Sequence, residues 1–347
     1  MVLNFIFLFY STAKKDKKDR ILIIRSFYRP GAIQRSDREW SNEYYNLSLT
    51  LKEICLIDFD EYFYDLNYRQ KPFPFGDLDL LQKVALGNYK AIILSSYPLA
   101  RLGFPKNSTF VYLREKIQIP IFLISWDSIG KLSNENLRKM DQFAYRIVLM
   151  DIKSDETETL KVMDLGFTPL PNSLFYQGKG YRDIDVTFLG STNSYRSTRN
   201  SYIEALSALE QKGHKCVIGG GTSTSRVTME TYAEIYRRSK IVVNFSESVN
   251  GKHQIKGRVF EAIATGALLL ESENNLTAST FKPYKDYVPF IDSEDLVRKA
   301  EFYLSNPEQL ENIVSHSLRT YDRCYTSLKF WSSILQEIEQ YQGLNSS

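Results

Sequence analysis

The sequence predicts an α/β protein built from two doubly wound units, each a parallel sheet covered by helices on both faces. From residue 20 onward, short runs rich in β-branched residues alternate with longer helical patterns, which is typical of such sheets. The segment 165–183 collects proline and glycine and has little periodicity, so it predicts a linker between two blocks of this pattern. A chain of 347 residues also exceeds what one hydrophobic core usually fills.

In the first block, apolar runs predict strands and the amphipathic segments between them predict helices. The predicted strands are 21–27, 55–60, 90–97, 119–126 and 145–151. The predicted helices are 41–54, 77–87 and 134–144. Because strand and helix alternate, we expect these strands to run parallel.

The second block repeats this alternation and ends in a long helical tail. Its predicted strands are 185–191, 215–221, 240–246 and 267–272. Its predicted helices are 199–213, 228–239, 258–266, 293–306 and a tail from about 307 to 342. We therefore expect a leader over 1–19, disordered or a strand, and domains over 20–175 and 176–325. A last helix over 326–347 should pack on the first domain. Two such domains face each other across a cleft, and their ligands bind outside the carboxyl ends of the strands.

Composition excludes several classes of partner. The chain has 44 basic and 41 acidic residues, a balance that does not favour nucleic-acid binding. Cys55, Cys216 and Cys324 are far apart and have no CxxC or histidine companion, which argues against disulfides and zinc and favours the reducing cytosol. The apolar N-terminal run is too short to span a bilayer and lacks the basic start of a signal peptide. We expect a cytoplasmic protein, with weak peripheral membrane association and the oligomeric state left open.

The stretch KGRVFEAIATGALLLES, residues 256–272, combines charges with an apolar helix and a buried strand. On a helix, Arg258, Glu261 and Thr265 share one face, and Gly266 occupies the usual C-terminal position. Lys256 and Arg258 beside the free N–H groups of a helix N-terminus favour phosphate, and Glu261 could accept hydrogen bonds from sugar hydroxyls. The alternative is an ordinary Arg258–Glu261 surface ion pair.

Four segments in order resemble the C-terminal domain of group 1 glycosyltransferases of the GT-B fold, in particular the spore-maturation-protein-like branch. They are DVTFLGS with YRSTR, YAEIYRRSKIVVNFS, KGRVFEAIATGALLLES and FKPYKDYVPFIDSEDLVRKAEFYLSNPEQ. The resemblance covers about 183–335. It implies two Rossmann-like domains, the first on the acceptor side and the second binding a nucleotide sugar, which is transferred to a glycan or small-molecule acceptor.

The resemblance also implies roles for individual residues. Glu261 would contact the donor ribose, and Arg196, Lys256 and Arg258 would face the diphosphate. The remaining donor-binding candidates lie at strand ends and in the glycine run: Gly190, Ser191, Gly220, Asn244 and Ser246. Glycine allows backbone to approach phosphate closely, although an ordinary turn explains the glycines as well, and Arg196 could be a solvated helix-start residue.

The chain departs from the family pattern at His253, where many members carry a glutamate. Lys252 and His253 could still face the transferred sugar or phosphate, although a lone histidine in a loop is more often merely solvated. Since the first 213 residues contain no histidine, an inverting reaction would need an acidic base, for which Asp127 and Asp37 are the candidates. A retaining transfer, in which the leaving diphosphate takes the acceptor proton, needs no protein base and is favoured. The alternative is a GT-B-like nucleotide- or glycan-binding protein that has lost turnover.

No cofactor or metal is expected. The DFD sequence at 58–60 matches a metal-binding DxD motif but has no further ligand nearby, so an acidic turn at a strand end explains it better. No GxGxxG follows the first strand, which argues against a nicotinamide enzyme. The catalysis we expect depends instead on cations that stabilise the leaving diphosphate.

Overall fold

The structure, a computed structural model, divides the chain into two units. It describes residues 20–25, 42–64, 75–95, 104–125, 139–151, 161–176, 180–190, 198–219, 227–247 and 253–344. One unit contains Met1–Leu165 and Trp331–Ser347, and the other contains Gly166–Phe330. The sequence predicted boundaries after residues 175 and 325. The first lies downstream of the observed division after 165, and the second lies upstream of the observed division after 330. The first differs because the chain from Gly166 already packs in the second unit, where the Phe167 ring lies 6.2 Å from that of Phe260.

The upstream unit contains a parallel sheet of six strands with helices in its connections. Its strands are β1 Arg20–Arg25, β2 Asp58–Phe63, β3 Ala91–Ser95, β4 Ile121–Ser125, β5 Arg146–Leu149 and β6 Val162–Asp164. Its helices include α1 Asn42–Ile54, α2 Phe75–Gly87 and α3 Asn107–Glu115. The sheet order is β2-β1-β3-β4-β5-β6, and residues of β1, β3 and β4 are fully buried in its core.

The downstream unit contains a second parallel sheet, with the order β11-β10-β9-β7-β8. Its strands are β7 Ile184–Leu189, β8 Cys216–Gly219, β9 Ser239–Asn244, β10 Leu268–Ser272 and β11 Val288–Phe290. Its helices are α4 Asn172–Phe175, α5 Thr198–Gln211, α6 Met229–Arg238, α7 Gly257–Ala264, α8 Asn275–Thr280, α9 Ser293–Ser305 and α10 Pro307–Cys324. Helix α11 Ser327–Leu344 completes the chain. The predicted α/β class with two parallel sheets is confirmed.

Three features of the structure differ from the expected elements. The second strand begins at Asp58 rather than 55, because Cys55 has a positive φ of 51° that ends α1. Short elements without a clear period were not predicted, among them β6, α3 and β11. The helical tail is interrupted, since Ser327 Oγ donates to the Leu170 carbonyl at 2.6 Å and Tyr325 OH to the Thr280 carbonyl at 2.9 Å.

Most of the last helix belongs to the upstream unit. The buried Trp331 donates its indole N–H to Thr50 Oγ1 at 2.9 Å. Further along, Arg146 Nε donates to Glu337 Oε2 at 2.8 Å, and the Tyr341 ring packs against Tyr145. Apolar spacing along α11 therefore serves core packing. None of the helices in the described ranges is long and apolar enough to cross a membrane.

Candidate functional site

The strand order of the downstream sheet reverses between β7 and β9. From β7 the chain moves outward to β8, and it then returns to the other side of β7 as β9, β10 and β11. In open parallel sheets, ligands bind beyond the carboxyl ends of the strands at such a reversal. Gly190 directly follows β7 and Asn244 ends β9. We call the region around Gly190 and Asn244 the switch point.

Helix α7 lies beside the switch point, and its sequence explains its bounds. Lys256 takes an extended N-cap conformation with φ −88° and ψ 147°, and the helix starts at the following glycine. The apolar side is fully buried at Val259, Phe260 and Ile263. Burial of this side fixes the helix against the sheet, so the direction of its charged residues is set by the fold.

The end of α7 is closed by glycine and by an arginine from the linker. Gly266 has a φ of 72°, the left-handed conformation that favours glycine at a helix end. A Cβ at Gly266 would lie 2.9 Å from Arg182 Nη2, the same group that donates to the Thr265 carbonyl at 2.6 Å. The close approach explains why this position needs a residue without a side chain.

Arg258 is held at the switch point by one edge of its guanidinium group. Its Nε donates to Asn244 Oδ1 at 2.8 Å, and its Cζ lies 6.0 Å from the centre of the Phe188 ring. A Cβ built on Gly190 would lie 3.1 Å from Arg258 Nη1, so the guanidinium passes directly over this glycine. Within the described ranges, neither Nη group donates a hydrogen bond. Two donor groups therefore remain for an anion.

Glu261 is buried, with 6% of its surface exposed. Tyr232 OH donates to its Oε2 at 2.5 Å, whereas Oε1 accepts no hydrogen bond from any residue that the structure describes. Burial raises the pKa of Glu261, and the Tyr232 hydrogen bond and the Arg258 charge offset this only in part. Arg258 and Glu261 form no ion pair in the described part of the chain. The alternative interpretation, an ordinary surface ion pair between these two residues, therefore does not apply.

A second buried carboxylate, Glu271, lies behind Arg258. Its Oε2 accepts from Asn244 Nδ2 at 2.6 Å, and the same amide lies 3.4 Å from Ser246 Oγ. Burial raises the pKa of Glu271 to about 7, although hydrogen bonds from Ser246 and Asn244 and the Arg258 charge lower it. Asn244 and Ser246 are fully buried, and the amide of Asn244 is occupied at both ends. Both are thus placed to support Arg258 from behind.

The other candidates divide between a neighbouring cavity and residues that the structure does not describe. His253 forms an isolated antiparallel bridge with Glu247 and lines a cavity of about 240 Å³ with Arg199 and Tyr202. Lys256 is half-buried at the start of α7. The candidates outside the described residues are Asp37, Asp127, Ser191, Arg196, Gly220 and Lys252.

Sequence reasoning did not identify Tyr232, Glu271 or the buried Arg199 as parts of this region. Tyr232 and Arg199 lie on helices and face inward, and nothing in the sequence marks the contact of Tyr232 with a residue 29 positions away. Glu271 does carry a signal. It follows three leucines in a strand read as buried on both faces, where a carboxylate requires a partner.

The DFD sequence has structural partners. It begins β2 rather than ending a strand, and Asp60 Oδ2 accepts from Tyr89 OH at 2.6 Å and Arg20 Nη1 at 2.9 Å. In the described part of the chain, no three His, Cys, Asp or Glu side chains cluster in a way that could hold a metal ion. The expected metal independence stays a prediction.

Comparison with known proteins agrees with this architecture. Residues 196–336 match the family described as "Glycosyl transferase-like", a region that includes α7 and Asn244 but not Gly190. The match supports the resemblance to group 1 glycosyltransferases, whereas the spore-maturation branch is not distinguished. No curated protein matches the chain.

Solved structures match both units. Anabaena Alr3699/HepE in complex with UDP-glucose is 12% identical, covers 94% of this chain and 100% of its own, and has a TM-score of 0.57. A glycosyltransferase from Rickettsia africae ESF-5 is 10% identical over 94% of this chain and 99% of its own, with a TM-score of 0.60. The sucrose-phosphate synthase of Thermosynechococcus elongatus is 12% identical over 95% of this chain and 100% of its own, with a TM-score of 0.56. At these identities the likeness establishes the fold, which is GT-B.

Proposed function

We propose that this chain, a glycosyltransferase of the GT-B fold, transfers a sugar from a nucleoside diphosphate sugar to a glycan or small-molecule acceptor without a metal ion. The observation that carries the proposal is helix α7 at the switch point. One turn of this helix bears a cation, Arg258, with two donor groups not used by the described residues. It also bears a buried carboxylate, Glu261, whose Oε1 accepts no hydrogen bond from the described residues.

Arg258 is suited to the diphosphate. Arginine binds phosphate oxygens through two parallel N–H donors, and its Nη groups are the ones left over once Nε is bound to Asn244. The N-terminal N–H groups of α7 add partial positive charge at the same end of the helix. Lys256 stands directly before the helix and supplies a further cation. Negative charge that develops on the leaving diphosphate is stabilised by such donors without reorganisation.

Glu261 is suited to the hydroxyl groups of a ribose. Tyr232 stays protonated, because burial and the neighbouring Glu261 raise its pKa well above the ordinary value, and it therefore serves as a donor to Oε2. Oε1 points past Gly257, where a Cβ would lie 3.5 Å from it. A ribose hydroxyl donating to Oε1 would supply the hydrogen bond that this buried oxygen lacks within the described ranges.

The donor base and sugar are best sought first among uridine compounds. Alr3699/HepE was crystallised with UDP-glucose, with UDP and glucose, and with UDP, and these structures share the fold. UDP and UDP-glucose are therefore the first probes, followed by the corresponding guanosine, adenosine and thymidine compounds.

The transfer is proposed to retain the configuration at the sugar C1. The bond from C1 to the diphosphate oxygen breaks, the acceptor oxygen bonds to C1 on the same face, and the acceptor proton passes to the leaving diphosphate. This route requires no protein base, in keeping with the absence of histidine from the first 213 residues. Arg258 stabilises the leaving group in it, and His253 is available to the sugar end.

The direct test combines thermal stabilisation with a turnover assay on the panel of nucleotide sugars. A transferase is stabilised by UDP in proportion to the logarithm of its concentration and slowly releases free sugar in the absence of acceptor. Glu261→Ala should lose the stabilisation. The second candidate is a nucleotide-binding protein without turnover, favoured by His253 in place of the glutamate, and it would be stabilised without releasing sugar. Absence of stabilisation by any nucleoside diphosphate would refute both.

A further inference from the structure

Glu271 is fully buried on β10, next to the central strand of the downstream sheet, and none of the donor contacts proposed above involves it. Burying a carboxylate costs several kcal/mol unless its partners compensate. An apolar residue would continue the preceding run of leucines with no such cost. The proposed function assigns Arg258 and Glu261 to the donor and leaves Glu271 without a role.

The register of the sheet brings Glu271 to Asn244. Strands β9 and β10 pair in parallel, and Glu271 is the partner of Asn244 in the ladder, so the two side chains leave neighbouring strands on the same face. Asn244 Nδ2 donates to Glu271 Oε2 at 2.6 Å, the length of a charge-assisted hydrogen bond. The second oxygen, Oε1, lies 3.3 Å from Asn274 Nδ2.

This contact fixes which way the amide of Asn244 faces. In its ionised form, which dominates above pH 7, Glu271 only accepts hydrogen bonds, so the Nδ2 end of the amide turns toward Glu271 and the Oδ1 end away from it. Oδ1 then accepts from Arg258 Nε at 2.8 Å. If the amide were reversed, Nδ2 would face the Nε–H group, two donors would oppose each other, and Arg258 would lose its anchor.

We propose that Glu271 is a positioning residue that, through Asn244, orients the Arg258 guanidinium so that both Nη groups face the donor diphosphate. The inference rests on the proposed function, because the diphosphate is the ligand assigned there to Arg258. It explains why a carboxylate occupies a buried strand next to the switch point. Glu271 touches no reacting atom and acts only through the orientation of two other side chains.

A pair of exchanged substitutions tests the hydrogen-bond chain. In Glu271→Gln the neutral side chain can either accept from Asn244 Nδ2 or donate to Oδ1, so the orientation of the Asn244 amide is no longer fixed and only part of the molecules present Oδ1 to Arg258. In Asn244→Asp two carboxylates oppose each other. In the double variant, the new amide on β10 donates to one oxygen of the new carboxylate on β9, the other oxygen accepts from Arg258, and the net charge of the wild type is kept. We expect Asn244→Asp to bind UDP about tenfold more weakly, Glu271→Gln to bind UDP more weakly by a smaller factor, and the double variant to bind within about threefold of the wild type.

Two readouts separate positioning from simple structural support. UDP affinity is measured by calorimetry for the four proteins and for Glu261→Ala. Exchange of the Arg258 Nε–H with water is measured by NMR, and we expect it to be faster in both single variants and slow again in the double variant. Recovery of both quantities supports the proposal, because a merely structural role predicts additive losses.

The inference is overturned if the single variants bind UDP like the wild type, or if the double variant is as weak as the two losses combined. In these cases a loss of UDP binding in Glu261→Ala shows that the proposed function still stands. A wild-type protein that binds no nucleoside diphosphate overturns the proposed function and this inference together. Since glutamine and aspartate nearly match the side chains they replace, the NMR measurement remains available even where affinity falls below detection.

Discussion

Two regions of the downstream unit contain buried carboxylates, and the regions differ in how well hydrogen bonds and opposite charges compensate the burial. One region, which we call the rim, is formed by Asp295 and Lys299 of helix α9 and by the preceding Ile291. There Asp295 accepts hydrogen bonds from Lys299 Nζ at 2.7 Å and from the Ile291 N–H at 3.2 Å. Burial alone would raise the pKa of Asp295, but these hydrogen bonds and the Lys299 charge outweigh it and hold the pKa below its ordinary value. In the same unit, Asp286 is also buried and its Oδ1 lies 2.6 Å from His316 Nδ1.

At the switch point the balance is reversed. Among the described residues, Glu261 accepts one hydrogen bond, and Glu271 accepts only from uncharged groups, which are side chains and the Ser246 backbone. Arg258 binds neither carboxylate directly. Burial therefore dominates, and the pKa of each carboxylate is raised. Carboxylates buried with so little compensation destabilise the folded protein. Such a conflict between a residue and its surroundings is expected mainly where a ligand requires the residue. The partners of Asp295 favour its charged form, whereas the burial of Glu261 and Glu271 disfavours theirs, as expected if a ligand completes the switch point.

The largest effect expected from this contrast is on turnover. Arg258→Ala should lower the turnover number by roughly two to three orders of magnitude, because one preorganised donor to the leaving group is lost. The matched control is Arg298→Ala at the rim, where an exposed arginine pairs with Asp295. It should keep wild-type turnover. Equal losses in the two variants, measured by initial rates with saturating donor, would contradict the special role of the switch point.

The raised pKa of Glu271 predicts a dependence of stability on pH. The folded pKa of about 7 exceeds the ordinary value of 4.5, so the folded state binds the proton more tightly than the unfolded state. The contribution of Glu271 protonation to the free energy of unfolding is complete below pH 4.5 and is lost as the pH rises through 7. Relative to Glu271→Gln, the wild type should lose about 3 kcal/mol of unfolding free energy over this window. Urea titrations at several pH values measure the difference. A flat difference would show that the carboxylate is not buried in its charged form.

Neutralising one carboxylate in each region should move stability in opposite directions. Asp295→Asn removes hydrogen bonds to a charged group and should cost about 1–3 kcal/mol while leaving UDP affinity unchanged. Glu261→Gln removes a poorly compensated charge and should leave stability unchanged or raise it, while UDP affinity falls. Thermal melts with and without UDP measure both quantities. A Glu261→Gln protein less stable than Asp295→Asn would remove the distinction between the regions.

A smaller effect is expected at the glycine under Arg258. In Gly190→Ala the new Cβ would lie 2.9 Å from the Phe188 ring and 3.1 Å from Arg258 Nη1, so the guanidinium must shift. We expect UDP affinity to fall by about fivefold, since the hydrogen bonds of Arg258 are distorted but not removed. Gly219→Ala is the control, because its Cβ would meet only Leu189 at the ordinary distance of 3.5 Å. Calorimetry that finds equal affinities in the two variants would contradict the close approach.

The fold was largely predictable from the sequence, because long periodic segments report burial directly. The helix from Gly257, its glycine end at Gly266 and the buried strand after it follow from local spacing. Other features could not be predicted from local spacing: the short strands, the break in the helical tail and the late start of β2. They depend on a single backbone conformation, such as that of Cys55, or on side chains from distant segments.

The candidate site was predictable only where its residues lie on one helix. Arg258 and Glu261 could be paired because residues three apart share a helical face. Their partners Asn244, Tyr232 and Glu271 come from other elements, and their contacts follow from sheet register and helix packing. Even for Asn244, which strand position suggested as a donor contact, the structure shows that both ends of its amide are occupied by protein.

The most direct measurement is a crystal structure of the protein with UDP or UDP-glucose. We expect diphosphate oxygens at hydrogen-bond distance, about 2.9 Å, from the Nη groups of Arg258, and a ribose hydroxyl at a similar distance from Glu261 Oε1. Arg258 Nε should remain on Asn244. A nucleotide bound elsewhere, with the Arg258 and Glu261 groups still unoccupied, would contradict the central claim that helix α7 is built to hold the donor.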